Sequence, residues 1–344
     1  MKHNQRGVSM HKSRFVALST AMVTAMAFLL QPVSAQPFDQ VTLRLAWIAG
    51  FGGDQVPFFL GNAKGFYKEQ GIDLKIVDGR GAASNATLLA QKSEQFAVID
   101  ANVLALSVGN GLPIRSIGTF VQQAPFDLIY GTKSGINSFA DLKGRTVGLQ
   151  PGEAMTALFS ALLTANNVDP STVRIVSVTG ANKPQVLYQG QVDVVGGYVT
   201  GEFFRIKLGA PDGFEVQQLL YKDGGITTLN ASVATHADLI RDNPDLVKRF
   251  MAATVKSWEY ANKHPEEAAD ETLKAAPKSN RTFLLETFGW VVKLSQTDKS
   301  IGKPLGWTSE QDWASTLDLL EKYVDLKNRQ PTPAYFTNEF IPAR

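Results

Sequence analysis

The chain has 344 residues, of which 44% are apolar and 19% are charged, and this ordinary globular composition excludes a disordered chain and a coiled coil. It contains no cysteine, so disulfides, zinc-finger sites and thiol nucleophiles are excluded as well. The formal net charge of +2 is spread without any basic run, so we expect no nucleic-acid-binding face. The length suggests roughly two domains.

The first 35 residues have the pattern of a secretory signal peptide. They include basic but no acidic residues, a mostly apolar run at 15–30, and the small residues Val33-Ser34-Ala35 of a cleavage site. A membrane anchor is the alternative, but the apolar run is short for a bilayer span. We predict cleavage after Ala35, with Met1 or Met10 as the start. The remaining chain is cysteine-free, with 30 basic and 32 acidic residues, which favours the bacterial periplasm.

The following segment alternates short strands with helices. Strand patterns occur at residues 41–47, 72–77, 96–99 and 114–121. Helices are predicted to begin at Pro57, Ser84 and about Asn102, because proline favours the first helical turn and serine the N-cap. Gly71 ends the first of these helices. Repeated strand–loop–helix units predict a parallel sheet with helices on both faces.

The alternation of strands and helices begins again near residue 126, and the last part of the chain is predicted to be helical. Further strands are predicted at residues 126–131, 145–149, 173–178, 192–195, 216–220 and 231–235. An amphipathic helix follows Pro151-Gly152, and Asn243-Pro244 forms an N-cap and first-turn pair. The last helices are predicted at residues 246–262, 265–275, 282–294 and 309–324. We therefore predict an α/β protein with two sheet-containing lobes, a cleft between them and a helical C-terminal third.

Polar and aromatic side chains follow the predicted strands, where ligands of α/β sheets bind. The candidate ligand-binding residues are Trp47, Asp54, Ser84, Asn85, Asp100, Asn102, Phe126, Gln150, Glu153, Thr156, Tyr198 and Glu202. Each has a structural alternative. Trp47 and Phe126 could be core aromatics, Ser84 could only cap a helix, and Glu153 could only complement a helix dipole.

Motifs for catalysis are missing from the sequence. It has no phosphate loop of the form GxxxxGK[ST], no GxGxxG after a strand and no GxSxG. Beyond residue 35 the only histidines are His236 and His264, which are far apart in sequence. We therefore predict no catalytic residues, no metal site and no cofactor, and a protein that is not an enzyme.

Several segments resemble a known family. They are LAW at 45–47, PFFL at 57–60, GFYKEQGID at 65–73, FADLKGRTVG at 139–148, GQVDVV at 190–195, NPDLV at 243–247 and WEYAN at 258–262. This order is similar to that of the solute-binding proteins of bacterial ABC importers, in the branch that binds nitrate, sulfonates, taurine and thiamine-pyrimidine precursors. The match spans about residues 41–275.

The resemblance implies a type II periplasmic-binding-protein fold, in which each lobe is a mostly parallel sheet flanked by helices. It places the first lobe at 36–126 plus 232–344, the second at 127–231, and the hinge crossings near 126–131 and 230–235. It also implies a monomer that delivers a small-molecule ligand to an inner-membrane permease served by a cytoplasmic ATPase. A eukaryotic pyrimidine synthase shares this fold, but that branch carries a cysteine-rich motif, which is missing here.

The candidate loops are acidic, and Arg80 is the only basic residue among them. Glu153 at a helix N-terminus would repel an anion placed there. Tyr198 and Glu202, with Trp47, resemble the aromatic-plus-carboxylate pattern of pyrimidine-precursor binders, in which aromatic rings stack on a heterocycle and a carboxylate accepts its amino hydrogen bonds. We therefore expect a neutral or weakly cationic heteroaromatic ligand. The open alternatives are an organic anion such as a sulfonate, nitrate or aromatic carboxylate, and a ligand-binding sensor protein.

Overall fold

The computed structural model describes residues 1–3 and 37–343. The predicted signal peptide therefore lies almost entirely outside the described residues. The chain divides into a short unit, Met1–Pro37, and a large unit, Phe38–Arg344, which holds every helix and strand named below. Within the described part of the chain, no helix is long and apolar enough to cross a membrane.

Ten strands of the described residues form two five-stranded sheets. In chain order they are β1 (Asp39–Arg44), β2 (Ile72–Val77), β3 (Phe96–Asp100), β4 (Ile114–Thr119), β5 (Phe126–Gly131), β6 (Thr146–Leu149), β7 (Arg174–Ser177), β8 (Val194–Tyr198), β9 (Val216–Leu220) and β10 (Ala231–His236). The first sheet has the order β2-β1-β3-β10-β4, and the second has the order β7-β6-β8-β5-β9.

Each sheet has one strand that runs against the other four. In the first sheet this strand is β10, which pairs antiparallel with β3 and β4. In the second sheet it is β5, which pairs antiparallel with β8 and β9. The pairs β1–β2, β1–β3, β6–β7 and β6–β8 are parallel. The prediction of two mostly parallel sheets in an α/β fold is confirmed. Both sheets are mixed, since the chain enters the second sheet through the reversed strand β5 and returns to the first through the reversed strand β10.

The segments expected to be hinge crossings form the reversed strands themselves. Residues 126–131 are β5, and residues 231–235 lie within β10. The chain passes between the sheets just before these strands, at 120–125 and 226–230. The two passages run side by side, because the backbone N–H of Asn230 donates to the carbonyl of Val121 at 3.0 Å.

The helices cover both sheets. They are α1 (Val56–Ala63), α2 (Phe66–Glu69), α3 (Ala82–Ala90), α4 (Ala101–Gly109), α5 (Ala154–Ala165), α6 (Lys183–Tyr188), α7 (Glu202–Leu208), α8 (Ala237–Asp242), α9 (Pro244–Lys263), α10 (Pro265–Ala275), α11 (Arg281–Lys293) and α12 (Glu310–Tyr323).

Most helix predictions agree with the structure, and the differences have local causes. The helix expected from Pro57 to Gly71 is two helices, because Gly65 adopts a left-handed φ of 77° between α1 and α2. Ser84 is not an N-cap, since α3 begins two residues earlier, after Gly81. The Asn243 cap is confirmed, because its side chain accepts a hydrogen bond from the backbone N–H of Leu246.

Apolar packing covers the sheet faces and leaves the strand ends free. On the first sheet, Phe96 of β3 stacks on Phe250 of α9 with ring centroids 3.8 Å apart. On the second sheet, α5 contributes Leu158 and Leu162, both fully buried, to the core. Burial of this apolar area fixes the sheets and helices in place. The loops at the strand ends can therefore carry polar side chains without disturbing the core.

Candidate functional site

A cavity of about 760 Å³ lies at the carboxyl-terminal ends of strands from both sheets. Its first wall consists of residues from the segment 46–54, which follows β1, and Asp100 at the end of β3. Its second wall consists of residues from the segments 150–153, 177–181 and 198–205, which follow β6, β7 and β8. Small-molecule sites typically enclose about 300–1,000 Å³, and ligands of such sheets bind at strand ends. This cavity is therefore the candidate site.

Seven of the twelve predicted site residues line the cavity. They are Trp47, Asp54, Asp100, Gln150, Glu153, Tyr198 and Glu202. All seven stand at the carboxyl end of a strand or within ten residues after it. This position relative to the strands is the rule by which they were predicted.

Two predicted residues are buried amides that hold the fold instead. The side-chain amide of Asn85 donates to the carbonyls of Leu45 and Val98, at 2.9 and 3.0 Å. That of Asn102 donates to the hydroxyl of Thr228 at 3.0 Å. Most buried polar groups in folded proteins are hydrogen-bonded, and these bonds tie α3 and α4 to neighbouring chain segments. The structure does not bring either amide to the cavity.

The other three also lie off the cavity wall. Phe126 is fully buried and packs edge-to-face on Tyr198, with centroids 5.4 Å apart, so it supports the wall from behind. The hydroxyl of Thr156 donates to the carbonyl of Gln150 at 2.8 Å and fixes the turn before α5. Ser84 is an exposed residue within α3.

The first wall presents an aromatic surface. The side chain of Trp47 is 43% exposed, although aromatic residues are usually well buried in folded proteins. Its ring lies 5.8 Å from that of Phe51, centroid to centroid. Such rings offer a planar ligand a face on which to stack.

The first wall also carries two carboxyl groups without a basic partner among the described residues. Burial raises the pKa of Asp54 to about 6. Burial, with a smaller contribution from the nearby charge of Asp54, raises the pKa of Asp100 to about 7. Asn230, beside them on the cavity wall, is 5% exposed, and the interaction of its side chain with Asp100 opposes the rise in the pKa of Asp100. These groups are suited to exchange hydrogen bonds with a polar ligand.

The second wall is built on a buried lysine. The ammonium of Lys183 donates to both carboxylate oxygens of Glu153, at 2.9 and 3.0 Å, and to Glu202 at 2.9 Å. The Lys183 side chain is 0% exposed. Burial raises the pKa of Glu153 to about 7, with the charge of Glu202 acting in the same direction and Lys183 opposing both. Two carboxyl groups therefore share one buried cation.

A third carboxyl group lies behind this network. Asp127 of β5 is fully buried, and neither of its carboxyl oxygens has a hydrogen-bond partner among the described residues. Burial, reinforced by the charge of Glu202, raises the pKa of Asp127 well above its ordinary range. The neutral form of the Asp127 carboxyl group is therefore favoured.

The two basic residues of the site were not predicted from the sequence. The basic residue that was predicted, Arg80, is exposed and does not line the cavity. The structure instead places Arg205 on the second wall and Lys183 buried next to Glu153 and Glu202 of that wall. Lys183 starts α6, just past the end of β7, so the strand-end rule would have found it had this six-residue helix been recognised. Arg205 lies one helical turn after Glu202 in α7 and faces the same way.

Arg205 and a backbone hydrogen bond connect the two walls. The guanidinium of Arg205 lies 5.0 Å above the ring of Phe51 on the first wall, within cation–π range. Its Nη2 donates to the carbonyl of Gly180 at 3.2 Å and lies 3.6 Å from Glu202. The backbone N–H of Gly53 donates to the carbonyl of Thr200 at 3.3 Å. The cavity is thus closed along this edge.

The arrangement is suited to binding. It combines stacking surfaces, carboxyl acceptors and a few donors, and no histidine or cysteine stands among the described residues of its wall. In the described ranges, no group of three or more histidine, cysteine, aspartate or glutamate side chains could hold a metal ion.

The sequence has curated relatives along most of its length. It is 26% identical over 322 residues to the riboflavin-binding protein RibY of Chloroflexus aurantiacus, covering 90% of this chain and 88% of that protein. It is 24% identical over 309 residues to 4-amino-5-hydroxymethyl-2-methylpyrimidine phosphate synthase of Legionella pneumophila, covering 88% and 93% of the two chains.

Solved structures share the fold. The periplasmic aliphatic sulphonate binding protein SsuA of Escherichia coli superposes with a TM-score of 0.69 at 12% identity, over 88% of this chain and 99% of that chain. At this identity the likeness is one of fold. The family described as NMT1/THI5 like matches residues 53–268, which is more than half of the sequence. The chain therefore belongs to the NMT1/THI5 like family and has the periplasmic-binding-protein fold.

Proposed function

We propose that this protein is the periplasmic solute-binding component of an ABC importer. It binds a small heteroaromatic molecule, neutral or weakly cationic, in the cavity between two closing lobes. The lobes comprise residues 36–126 plus 232–344 and residues 127–231. The protein acts as a monomer and delivers its ligand to a membrane permease driven by a cytoplasmic ATPase.

Stacking surfaces on both walls support an aromatic ligand. Trp47 and Phe51 line the first wall, and Tyr198 lines the second. Tyr198 is held from behind by Phe126, so its ring is fixed before any ligand arrives. A rigid aromatic ring binds with little loss of conformational freedom. A planar ligand would gain dispersion contacts on both faces.

The balance of charge on the wall carries the proposal. Four carboxyl groups line the cavity, from Asp54, Asp100, Glu153 and Glu202. Two basic side chains stand against them, Arg205 on the wall and Lys183 buried beside Glu153 and Glu202. Glu153 and Glu202 are paired with Lys183, whereas Asp54 and Asp100 have no basic partner among the described residues. An anion placed beside the ionised forms of Asp54 and Asp100 would be repelled, and the repulsion is strong where the walls exclude water. Ring amines and ring N–H groups are the natural partners, because a carboxylate accepts strong hydrogen bonds from them.

One relative is named for binding a heteroaromatic ligand, and another is named as an enzyme. RibY is named for riboflavin, a heteroaromatic molecule. The Legionella relative is named a synthase, but the present chain has no cysteine, and its cavity wall brings together no histidine among the described residues. We therefore favour ligand binding over catalysis as the function of the cavity, because the residues of its wall account for binding without any further group.

Replacement of Glu202 tests this function. Oε1 of Glu202 accepts a hydrogen bond from Lys183 and lies 3.6 Å from Nη2 of Arg205. The side chain of Glu202 makes no other hydrogen bond within the described chain, so its second oxygen remains for a ligand. We expect Glu202→Gln to weaken binding of thiamine, which carries an aminopyrimidine ring, by about 1.5–3 kcal/mol, as for a charged hydrogen bond. Isothermal titration calorimetry measures the change.

Two controls accompany this test. Glu310→Gln makes the same charge change at an exposed position at the start of α12, and we expect it to leave affinity unchanged. Taurine, a sulfonate, serves as the anionic probe. Unchanged or tighter thiamine binding by Glu202→Gln, or a wild-type protein that binds taurine but no ring, would contradict the proposal.

A further inference from the structure

Gln150 lies on the second wall of the cavity, and the surrounding chain fixes its orientation. The residue follows β6 directly, and its carbonyl accepts a hydrogen bond from the hydroxyl of Thr156 at 2.8 Å. Its side-chain oxygen, Oε1, accepts a hydrogen bond from the backbone N–H of Gly180. Both the backbone and the side chain of Gln150 are therefore held in place by the protein.

The hydrogen bond to Gly180 also determines which end of the Gln150 amide is left without a partner. A backbone N–H can only donate, so the amide turns its oxygen toward Gly180, and its NH₂ group is the end that remains. This NH₂ group makes no hydrogen bond within the described chain. The amide nitrogen is also not among the enclosed polar atoms that lack a partner, so a ligand in the cavity can reach it. Gln150 thus offers the cavity a neutral donor.

An acceptor stands next to this donor. The position that a Cβ atom on Gly180 would take lies 3.1 Å from Oε1 of Gln150 and 3.7 Å from Oε1 of Glu202, so the two side chains flank the same glycine. Oε1 of Glu202 accepts a hydrogen bond from Lys183, which leaves Oε2 of Glu202 for a ligand. The second wall therefore presents an amide donor and a carboxylate acceptor side by side.

This pair of groups is complementary to a ring edge with the opposite pattern. A donor on the ring, such as an amino group, pairs with Glu202, and a neighbouring ring atom with a free lone pair accepts from Gln150. A site built to form a hydrogen bond rejects an analogue that cannot form it, because the polar group of the site is then left unpaired. Protonation of that ring atom would turn a donor toward the NH₂ group of Gln150. The positive charge of a weakly cationic ligand must therefore lie elsewhere on the ring.

We propose that Gln150 determines which ring edge the second wall accepts: its NH₂ group donates to an unprotonated acceptor atom of the ligand, next to the ring donor held by Glu202. This inference rests on the proposed function, because it assumes that a heteroaromatic ring occupies the cavity. It adds to that function a selection between rings of the same size and charge. The alternative is a purely structural role, in which Gln150 only holds Gly180.

The isomers 4-aminoquinazoline and 5-aminoquinazoline test this role, because they share one ring system and are both neutral at pH 7.5. In the first isomer a ring nitrogen lies next to the carbon that bears the amino group, whereas in the second it does not. We expect the wild-type protein to bind 4-aminoquinazoline about tenfold more tightly, measured by isothermal titration calorimetry. Gln150→Glu keeps an oxygen for Gly180 but replaces the donor with an acceptor, and we expect it to reduce the preference to below about threefold.

The control variant is Gln217→Glu, which makes the same change at an exposed position of β9 that does not line the cavity, and we expect it to retain the preference. Equal affinities of the wild-type protein for the two isomers overturn the inference, as does a preference that survives Gln150→Glu, since Gln150 would then only hold Gly180. In both cases the proposed function stands, because a ring still binds.

Binding of neither isomer also overturns the inference, and titration with thiamine and riboflavin then decides the proposed function separately. The comparison of the two isomers on the wild-type protein needs no variant, so the inference can fail even if Gln150→Glu does not fold.

Discussion

On the first wall of the cavity, Asp54 and Asp100 have no basic partner among the described residues, whereas on the second wall Glu153 and Glu202 hold the buried ammonium of Lys183. Burial raises the pKa of Asp54 to about 6 and that of Asp100 to about 7. Near neutral pH these groups are partly protonated and respond to what lies next to them. The carboxyl groups of the second wall are instead held in place by their ion pairs with Lys183.

This difference in charge pairing indicates that the two walls have different roles in ligand binding. The second wall is preorganised, because its charges are paired before a ligand arrives, and preorganisation reduces the cost of binding. The first wall lacks a cation, and a ligand with a positive or donor-rich edge would supply what is missing. A weakly cationic ring would therefore pair with the carboxyl groups of the first wall, while the second wall fixes the orientation of the ring.

Replacing Lys183 would remove the cation that distinguishes the second wall from the first. Of the substitutions considered, we expect this one to have the largest effect on stability. Lys183→Met leaves Glu153 and Glu202 buried without their cation, which should lower the free energy of unfolding by about 3–5 kcal/mol. The loss should be smaller at pH 5 than at pH 8, because protonation then removes the uncompensated charge. Urea unfolding followed by circular dichroism measures both values.

The matched control is Lys92→Met. Lys92 forms an ion pair with Asp238 at the surface, where its side chain is 60% exposed, and surface pairs contribute about 0–1 kcal/mol. A Lys183→Met protein no less stable than Lys92→Met would show that the second wall is not built on the buried lysine.

Trp47→Ala tests whether the first wall recognises its ligand by stacking. Because the ring is largely open to the cavity, its loss should change stability by less than about 0.5 kcal/mol. It should weaken binding of a heteroaromatic ring by about 1–2 kcal/mol through lost stacking and apolar contact. Phe38→Ala, at a 49% exposed position that does not line the cavity, is the control for calorimetry. Equal affinities in the two variants would rule out the stacking role.

The smallest effect should come from the unpaired carboxyl groups. Since the pKa of Asp100 is raised in the folded state, its contribution to stability is present below about pH 4 and is lost as pH rises through about 7. The free energy of unfolding should therefore decline from pH 5 to pH 8. Asp100→Asn should reduce that decline by on the order of 1 kcal/mol.

Urea unfolding at several pH values, with Asp73→Asn in the exposed part of β2 as control, measures the slope. An Asp100→Asn profile parallel to that of the wild type would mean that Asp100 is well solvated. The first wall would then differ less from the second than the structure indicates.

The fold and seven of the residues that line the cavity could be predicted from the sequence. Strands with clear apolar patterns could be located, and the ends of parallel strands must meet at one edge of a sheet. That rule selected Trp47, Asp100 and Tyr198, which lie on opposite walls and are up to 151 residues apart in the numbering.

The rule could not tell a residue on the cavity wall from one buried behind it. Asn85 and Asn102 stand near strand ends, but their amides turn inward to pair with buried groups. Lys183 was missed for a different reason. Its short helix gives little periodic signal, and its burial depends on Glu153 and Glu202, which come from other segments of the chain.

A thermal-shift comparison of ring-containing and anionic ligands tests the central claim most directly. The protein would be heated with riboflavin, thiamine and aminopyrimidines, and separately with taurine, nitrate and alkanesulfonates. A ligand at 100 times its dissociation constant should add about 2.7 kcal/mol of stability, and we predict this increase for at least one ring and for none of the anions. Stabilisation by the anions alone would contradict the account, because the carboxyl groups of both walls could not then face the ligand.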